Sequence, residues 1–259
     1  HTPIAEYAEY LSAGDQVRRT VRQAATGYER WFLNNVDVVV APSERTATHV
    51  EEVVGVDTEV TVVPNGVDTD VFAPVDAPRE RFNLPDGPLV GYTGRHGHEK
   101  RLEVLVEAVA GLDREVTLAL GGDGPARGDL ERLADEHGVT ARFLGFLDRE
   151  DLPAFYATLD VFGFPSPVET QGLVALEANA CGTPVAGVDA GALADTIEEG
   201  ETGYTAPAGD PEALAAAIDR TFVERDRLSE VCLARRNSLS VDHAVDRLAE
   251  VYDRLPVPS

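Results

Sequence analysis

Apolar positions fall into two kinds of run along this chain. Short runs at 89–92, 116–120, 161–164 and 184–187, with Arg142-Phe143, read as strands, the one at 161–164 in a buried pattern. Between them the apolar spacing shifts to three and four, predicting helices near 100–111, 126–137, 149–157, 172–181, 191–199 and 211–224. Boundary residues support several of these. Asp210-Pro211 is an N-cap followed by proline at the first helical position, and Asp148 with Asp151 resembles a capping box for the helix at 149–157. Gly182, with Pro184 beyond it, ends the helix at 172–181. Upstream, a helix is expected over 13–33, ending in Trp31-Phe32. A strand follows at 36–41, then a helix capped by Ser43 and running to Val54, then a strand at 59–63 broken by Pro64-Asn65-Gly66. The stretch 67–87, rich in Pro and Asp, reads as a linker, and an amphipathic helix capped by Ser240 closes the chain over 241–255. Strand–helix alternation over 150 residues or so argues for an α/β fold with a doubly wound parallel sheet.

Charge narrows the function. The 259 residues carry 46 acidic against 22 basic side chains, a net charge of −24, spread along the whole chain. Nucleic acid is a poor partner for such a surface, because phosphate contacts need a basic face. Acidic residues in excess, with arginine almost wholly replacing lysine, suit a salt-accumulating halophile. At molar salt the Debye length is roughly 3 Å, and the self-repulsion of such a surface is screened. Two cysteines, Cys181 and Cys232, make no disulfide framework, and a reducing cytoplasm is the expected compartment. No apolar run approaches the length of a membrane span, and no secretory signal is visible. There is no methionine, so the sequence reads as a piece or a processed form of a longer chain.

Two features carry candidate chemistry. Pro165-Ser166-Pro167-Val168-Glu169-Thr170-Gln171-Gly172-Leu173 follows a buried strand and opens a helix that holds Glu177. Both carboxylates can then face the crevice at the carboxyl ends of the strands, where open α/β sheets bind ligands, and both accept hydrogen bonds from hydroxyls of a sugar or a ribose. The second feature is Lys100, the single lysine of the chain, in Gly94-Arg95-His96-Gly97-His98-Glu99-Lys100. A composition that avoids lysine yet keeps one five residues from Arg95, just past a strand, points to a diphosphate. The bland alternatives are a solvated helix-start charge for Lys100, a dipole-stabilised acid for Glu169 and a surface helix acid for Glu177. Other signals are weaker. Asp68-Thr69-Asp70 follows Pro-Asn-Gly and reads as a turn. His96 and His98 lack further metal ligands and read as substrate-loop residues. Gly121-Gly122-Asp123-Gly124 fails the dinucleotide fingerprint, since Arg127 stands at its last position, and reads as a tight turn near the crevice. Arg18, Arg19, Arg22 and Arg30 make the first helix locally basic, though packing by its aromatic residues is the favoured reading.

Seven elements together resemble the retaining GT-B glycosyltransferases of group 1, or family 4. In order they are Ala41-Pro42-Ser43; Val63-Pro64-Asn65-Gly66-Val67-Asp68; Gly94-Arg95 to Glu99-Lys100; Gly121-Gly122-Asp123-Gly124-Pro125; Phe143-Leu144-Gly145-Phe146; Pro165-Ser166 to Glu169 and Glu177; and Ala180-Cys181-Gly182-Thr183-Pro184-Val185. The resemblance implies two Rossmann-like domains facing a cleft, with residues 1–66 the remnant of an N-terminal acceptor domain and 67–87 the linker. It further implies a nucleotide-sugar domain over 88–238 and a helix at 239–259 returning toward the N-terminal domain. Roughly 100–200 residues, one domain's worth, would precede this chain. Thr170-Gln171-Gly172 departs from the family's usual Gly-Phe-Gly and is similar to members acting on lipid or polyisoprenoid-type acceptors, as is the short segment His1-Thr2 with Tyr7 and Tyr10.

The implied catalytic set is Arg95 and Lys100 on the diphosphate and Glu169 on the donor sugar. Glu177 would hold the ribose diol, the amides near Gly172 and Leu173 would assist the phosphates, and Gly94, Thr170, Gln171 and Phe146 would line the donor site, with base recognition near 146–150. No metal or resident cofactor is expected. The donor would be of the UDP-glucose or GDP-mannose type, and the acceptor a lipid or polysaccharide hydroxyl, met in the cytoplasm or at the inner face of the membrane by peripheral association. A nucleotide-sugar-binding fragment without transfer activity, and another GT-B enzyme such as an epimerase, stay open.

Overall fold

The structure, a computed structural model, describes residues 15–76, 79–169, 171–191 and 193–255. The segment His1-Thr2 to Tyr10 and Thr170 lie outside the described residues. The chain folds as two compact units, one formed by residues 1–65 with 244–259 and the other by 66–243.

In the first unit, α1 (Asp15–Leu33) leads to β1 (Val39–Ala41), α2 (Glu44–Thr48) and β2 (Val60–Val62). The two strands pair in parallel, Val39 opposite Val60. The Ser43 hydroxyl accepts the Thr46 amide at 3.2 Å, as a helix N-cap should. The helix expected to reach Val54 does so, but from His49 it is wound as a π-helix, and Gly55 ends it at φ +77. A small cluster of Val39, Val54 and Val56 holds the unit together.

The second unit is built on six parallel strands: β3 (Leu89–Thr93), β4 (Thr117–Gly121), β5 (Thr140–Gly145), β6 (Val161–Phe164), β7 (Val185–Val188) and β8 (Gly203–Ala206), in the order β5-β4-β3-β6-β7-β8. β3 and β4 are buried at every position, which is why they read as unbroken apolar runs. Around the sheet run α3 (Leu102–Ala110), α4 (Arg127–His137), α5 (Leu152–Thr158), α6 (Leu173–Ala180), α7 (Leu193–Thr196), α8 (Pro211–Val223) and α9 (Arg225–Ala234). The last helix, α10 (Val241–Arg254), starts where Ser240 Oγ accepts the His243 amide at 3.1 Å. Asp210 caps α8 by accepting the Ala213 amide at 3.0 Å. The expected doubly wound parallel α/β sheet is therefore present.

Several elements differ from expectation. Asp148 does not cap α5: that helix begins at Leu152, Asp151 precedes it in helical conformation without a side-chain cap bond, and the Asp151 carboxylate pairs instead with Arg81. The expected helix at 100–111 starts at Leu102, because His98–Lys100 forms a separate 3-10 turn and Arg101 adopts φ +54 between them. β5 runs four residues longer than the strand expected at Arg142-Phe143, while α7 is shorter than 191–199. β8 and α9 were not anticipated. The segment 67–87 sends Val67, Phe72, Phe82 and Leu84 into the large core, so much of it is packed structure.

One carboxylate ties that segment to the sheet. Asp160 Oδ2 accepts the Leu89 amide at 2.9 Å and Arg79 Nη2 at 3.0 Å, and Arg225 approaches its other oxygen at 3.4 Å. Replacing it strands an amide and a guanidinium beside the start of β3. Asp160→Ala is therefore expected to lower the unfolding free energy by about 2 kcal/mol, read from urea unfolding in molar KCl; a change indistinguishable from zero would contradict the assignment.

Candidate functional site

The order of the six strands reverses direction between β3 and β6. At such a reversal the following loops turn to opposite faces and leave a crevice at the carboxyl ends of the strands. The loop after β3 carries Gly94, Arg95 and Lys100, and the loop after β6 carries Glu169. Lys100 Nζ and the Glu169 carboxylate meet across this point as an ion pair, with side chains 21% and 18% exposed. Sixty-nine residues apart in sequence, they are joined by topology.

Tight backbone contacts shape the floor. Gly94 has φ +145, and its amide donates to the Gly121 carbonyl at 3.0 Å. Gly122, at φ +113, lies so close that a Cβ there would fall 2.0 Å from the Gly94 carbonyl oxygen. Only glycine allows this approach. The Gly121–Gly124 segment is thus a tight turn, closed by the Gly124 amide on Asp123 Oδ1 at 2.7 Å. Asp68-Thr69-Asp70 is also a turn, with the Val71 amide on Asp68 Oδ1 at 3.3 Å.

Gly172, at φ +61, turns the chain into α6. The first amides of that helix, those of Leu173 and Val174, have no carbonyl one turn behind them and form a positive end suited to an anion. Leu173 is exposed, Gly172 is buried and Gln171 is half-buried. Glu177 lies one turn further on. Its Oε2 accepts the Tyr156 hydroxyl at 2.8 Å. Burial holds the Glu177 carboxyl above its ordinary range, and the Tyr156 hydrogen bond and the Arg149 guanidinium oppose this without reversing it.

Arg95 stands apart from the pair: its exposed guanidinium is turned to Glu99. Phe146 is 83% exposed on the loop after β5, two strands from β3, and is not joined to the other candidates. Tyr92 is buried beside this group. Burial raises its hydroxyl pKa, Glu169 and Glu99 raise it further, and Arg95 opposes them. Sequence reasoning missed Tyr92, Thr93 and Tyr156, whose apolar rings and strand position signalled core.

The histidines divide. His98 is exposed, whereas His96 is completely buried, its ring packed between Tyr92 and Phe143 at 6.4 and 6.3 Å. Its ring faces the core, which corrects its reading as a substrate-loop side chain; the backbone of His96 instead clamps the turn, its amide donating to Asp123 and its carbonyl accepting from Ala126 at 2.8 and 2.9 Å. Burial pushes Cys181 and Cys232 each up to about 12, so both thiols stay neutral. Among the described residues, no group of three or more His, Cys, Asp or Glu could hold a metal ion, and no helix is long and apolar enough to cross a membrane.

Residues 76–232 match the family described as Glycosyl transferases group 1, and residues 1–71 match Glycosyltransferase Family 4. The chain belongs to the group 1 glycosyl transferases. A 2-deoxystreptamine glucosyltransferase of Streptomyces kanamyceticus is 35% identical over 255 residues, covering 92% of this chain and 66% of its own length. A GDP-mannose-dependent alpha-(1-6)-phosphatidylinositol monomannoside mannosyltransferase of Mycolicibacterium smegmatis is 34% identical over 240 residues, with coverage of 86% and 63%. Among solved structures, sucrose-phosphate synthase from Thermosynechococcus elongatus superposes with a TM-score of 0.80 at 30% identity, covering 98% of this chain and 66% of that one. The resemblance drawn from the seven motifs and the GT-B type of fold are thus borne out, and the chain spans about two thirds of the length of these group 1 relatives.

His96 generates a test of its own. Burial, only partly offset by the Gly121 carbonyl and Asp123, lowers its pKa from 6.5. Below pH 6.5 the unfolded chain therefore binds a proton that the folded chain refuses, and stability falls as pH drops from there toward the depressed value. His96→Leu is expected to flatten that part of the profile. The measurement is the urea midpoint between pH 7.5 and 5 in molar KCl, for both proteins; parallel profiles would refute it.

Proposed function

We propose that this group 1 chain supplies the donor site of a retaining hexosyltransferase using a UDP-glucose- or GDP-mannose-type sugar. The observation that carries the reading is the Lys100–Glu169 pair at the strand-order reversal. A nucleoside diphosphate sugar presents phosphate oxygens beside sugar hydroxyls, and a cation beside a carboxylate matches that sequence of groups. Breaking the anomeric C–O bond leaves negative charge on the departing diphosphate. Lys100, Arg95 released from Glu99, and the Leu173 and Val174 amides are the groups to receive it, and they need little rearrangement in a preformed site. Glu169 takes the donor-sugar hydroxyls and Glu177 the ribose diol. Gly94 lets the phosphates approach the backbone, Thr170 and Gln171 belong to the donor-binding set on the sequence motif alone, and Phe146 offers an exposed ring to the base. No metal or resident cofactor enters this reading.

Retention of configuration belongs to the proposal on the family resemblance alone. The acceptor hydroxyl is proposed to be that of a lipid or polysaccharide, reached by peripheral association with the membrane; the mannosyltransferase relative is named for a phosphatidylinositol acceptor. The domain roles, 1–66 as the remnant of an acceptor domain, 88–238 as the donor domain and 239–259 as a helix returning toward the N-terminal domain, are part of the same reading.

Calorimetric titration of this chain in molar KCl with UDP, GDP, ADP and their hexose conjugates tests it. One nucleotide is expected to bind saturably, and Lys100→Ala to weaken it by about tenfold or more. Glu169→Gln is expected to keep most of the nucleotide affinity and lose the increment contributed by the sugar. Absence of saturable binding by folded protein would sink the reading.

A further inference from the structure

Tyr156 is fully buried on α5, among Phe72, Phe155 and Phe162. A core phenol of this kind needs a partner for its hydroxyl, but this one has two. It lies 2.9 Å from Thr93 Oγ1 and 2.8 Å from Glu177 Oε2. A phenol has a single proton, and an ionised carboxylate can only accept. With Glu177 ionised, the Tyr156 proton is committed to the carboxylate, and Thr93 must donate to the phenol oxygen. The order is fixed: Thr93 hydroxyl to Tyr156 hydroxyl to Glu177 carboxylate. The far end of α5 is held as well, because Thr183 Oγ1 donates to the Tyr156 carbonyl at 2.7 Å.

This chain of hydrogen bonds links the end of β3 to α6 through α5. Thr93 is the last residue of β3, immediately before Gly94-Arg95, and Glu177 stands on α6. One carboxylate oxygen is thereby occupied from the protein interior, and among the described residues Oε1 has no hydrogen-bond donor. We propose that Tyr156, with Thr93 behind it, is a positioning residue that fixes the Glu177 carboxylate for the two ribose hydroxyls of a nucleoside diphosphate. This rests on the donor-site reading above and deepens it. Besides burial, the groups that bear on the titration of Glu177 are Tyr156 from α5 and Arg149 from the loop before it, while Glu177 in turn raises Cys181, the residue that caps the end of α6. Cys181 is held neutral, and Arg149 is itself occupied by Asp68 at 3.5 Å and by the Phe72 ring at 5.5 Å. Tyr156 is therefore the direct hydrogen-bond donor among them.

Tyr156→Phe keeps the ring and removes only the hydroxyl. The test compares this variant with the wild-type chain in molar KCl, using the nucleoside diphosphate that binds wild type and its 2′,3′-dideoxy analogue. The natural nucleotide is expected to lose about tenfold in affinity on Tyr156→Phe, while the dideoxy analogue, having no diol to present, loses little. The acid limb of nucleotide binding should also move to higher pH, since the lost hydrogen bond favoured the carboxylate. Carbon NMR of the Glu177 carboxyl in nucleotide-free protein reads the same upward shift without any ligand, and Thr93→Val should produce a smaller shift of the same sign. Equal losses for both nucleotides, or an unmoved Glu177 titration in folded Tyr156→Phe, would overturn the positioning role while leaving the donor site standing. Failure of wild type to bind any nucleoside diphosphate would overturn the donor-site reading and this one with it.

Discussion

The reversal of strand order between β3 and β6 is the constraint on which the candidate site depends. Parallel strands must be joined by crossovers, and right-handed crossovers run outward from β3 on one side and from β6 on the other. Chain leaving β3 and chain leaving β6 are therefore forced apart at the carboxyl end, so the loops carrying Lys100 and Glu169 face each other over a gap instead of over a helix. Everything polar in the site hangs from that event. The strands themselves are mostly apolar, Thr93 at the end of β3 being an exception, and β3, β4, β6 and β7 are buried along their whole length. The sheet supplies rigidity, and the loops supply chemistry.

Charge sets a second condition. A chain with net charge −24 repels a diphosphate at long range, and molar salt reduces that repulsion to a few ångströms. Attraction then has to be local. In the structure both cations proposed for the diphosphate are already paired, Arg95 with Glu99 and Lys100 with Glu169. A ligand anion must compete with those carboxylates, and this favours one that also brings hydroxyls for the displaced acceptor. A plain phosphate satisfies the lysine and strands the glutamate; a sugar diphosphate satisfies both.

Much of the scaffold was legible in the sequence because its signals are local. Ser43, Asp210 and Ser240 cap helices through their own side chains, Gly182 ends α6 at φ +88, and fully buried strands are visible as unbroken apolar runs. What was missed depends on contacts distant in sequence. β8 has only four residues, Gly203–Ala206, and is a strand because β7 pairs with it. α9 opens on Arg225-Asp226-Arg227 and is anchored by just two buried residues, Leu228 and Cys232. Asp148 and Asp151 had cap-like spacing, but an arginine 70 residues away claims Asp151. The site divides the same way. Lys100 and Glu169 stood out by rarity and motif, while Tyr156 looked like core, since nothing in the composition of α5 reveals which hydroxyl meets a carboxylate.

The two carboxylates of the site are held by opposite means. Glu169 is paired directly with a full positive charge, and a ligand that draws the lysine away loosens it. Among the described residues Glu177 has no such cation in direct contact: burial works against its charge, and a neutral hydroxyl is its direct hydrogen-bond donor. A hydroxyl orients one oxygen without cancelling the acceptor strength of the other, whereas an ammonium draws on the whole carboxylate. The first arrangement suits a group that must exchange partners as a charged ligand arrives. The second suits one that must wait in a single orientation for two hydroxyls spaced on a rigid ring. In the proposed reading these are the sugar and the ribose ends of one donor, and the difference between a charged and a neutral partner is what lets a single short segment, 169–177, recognise both.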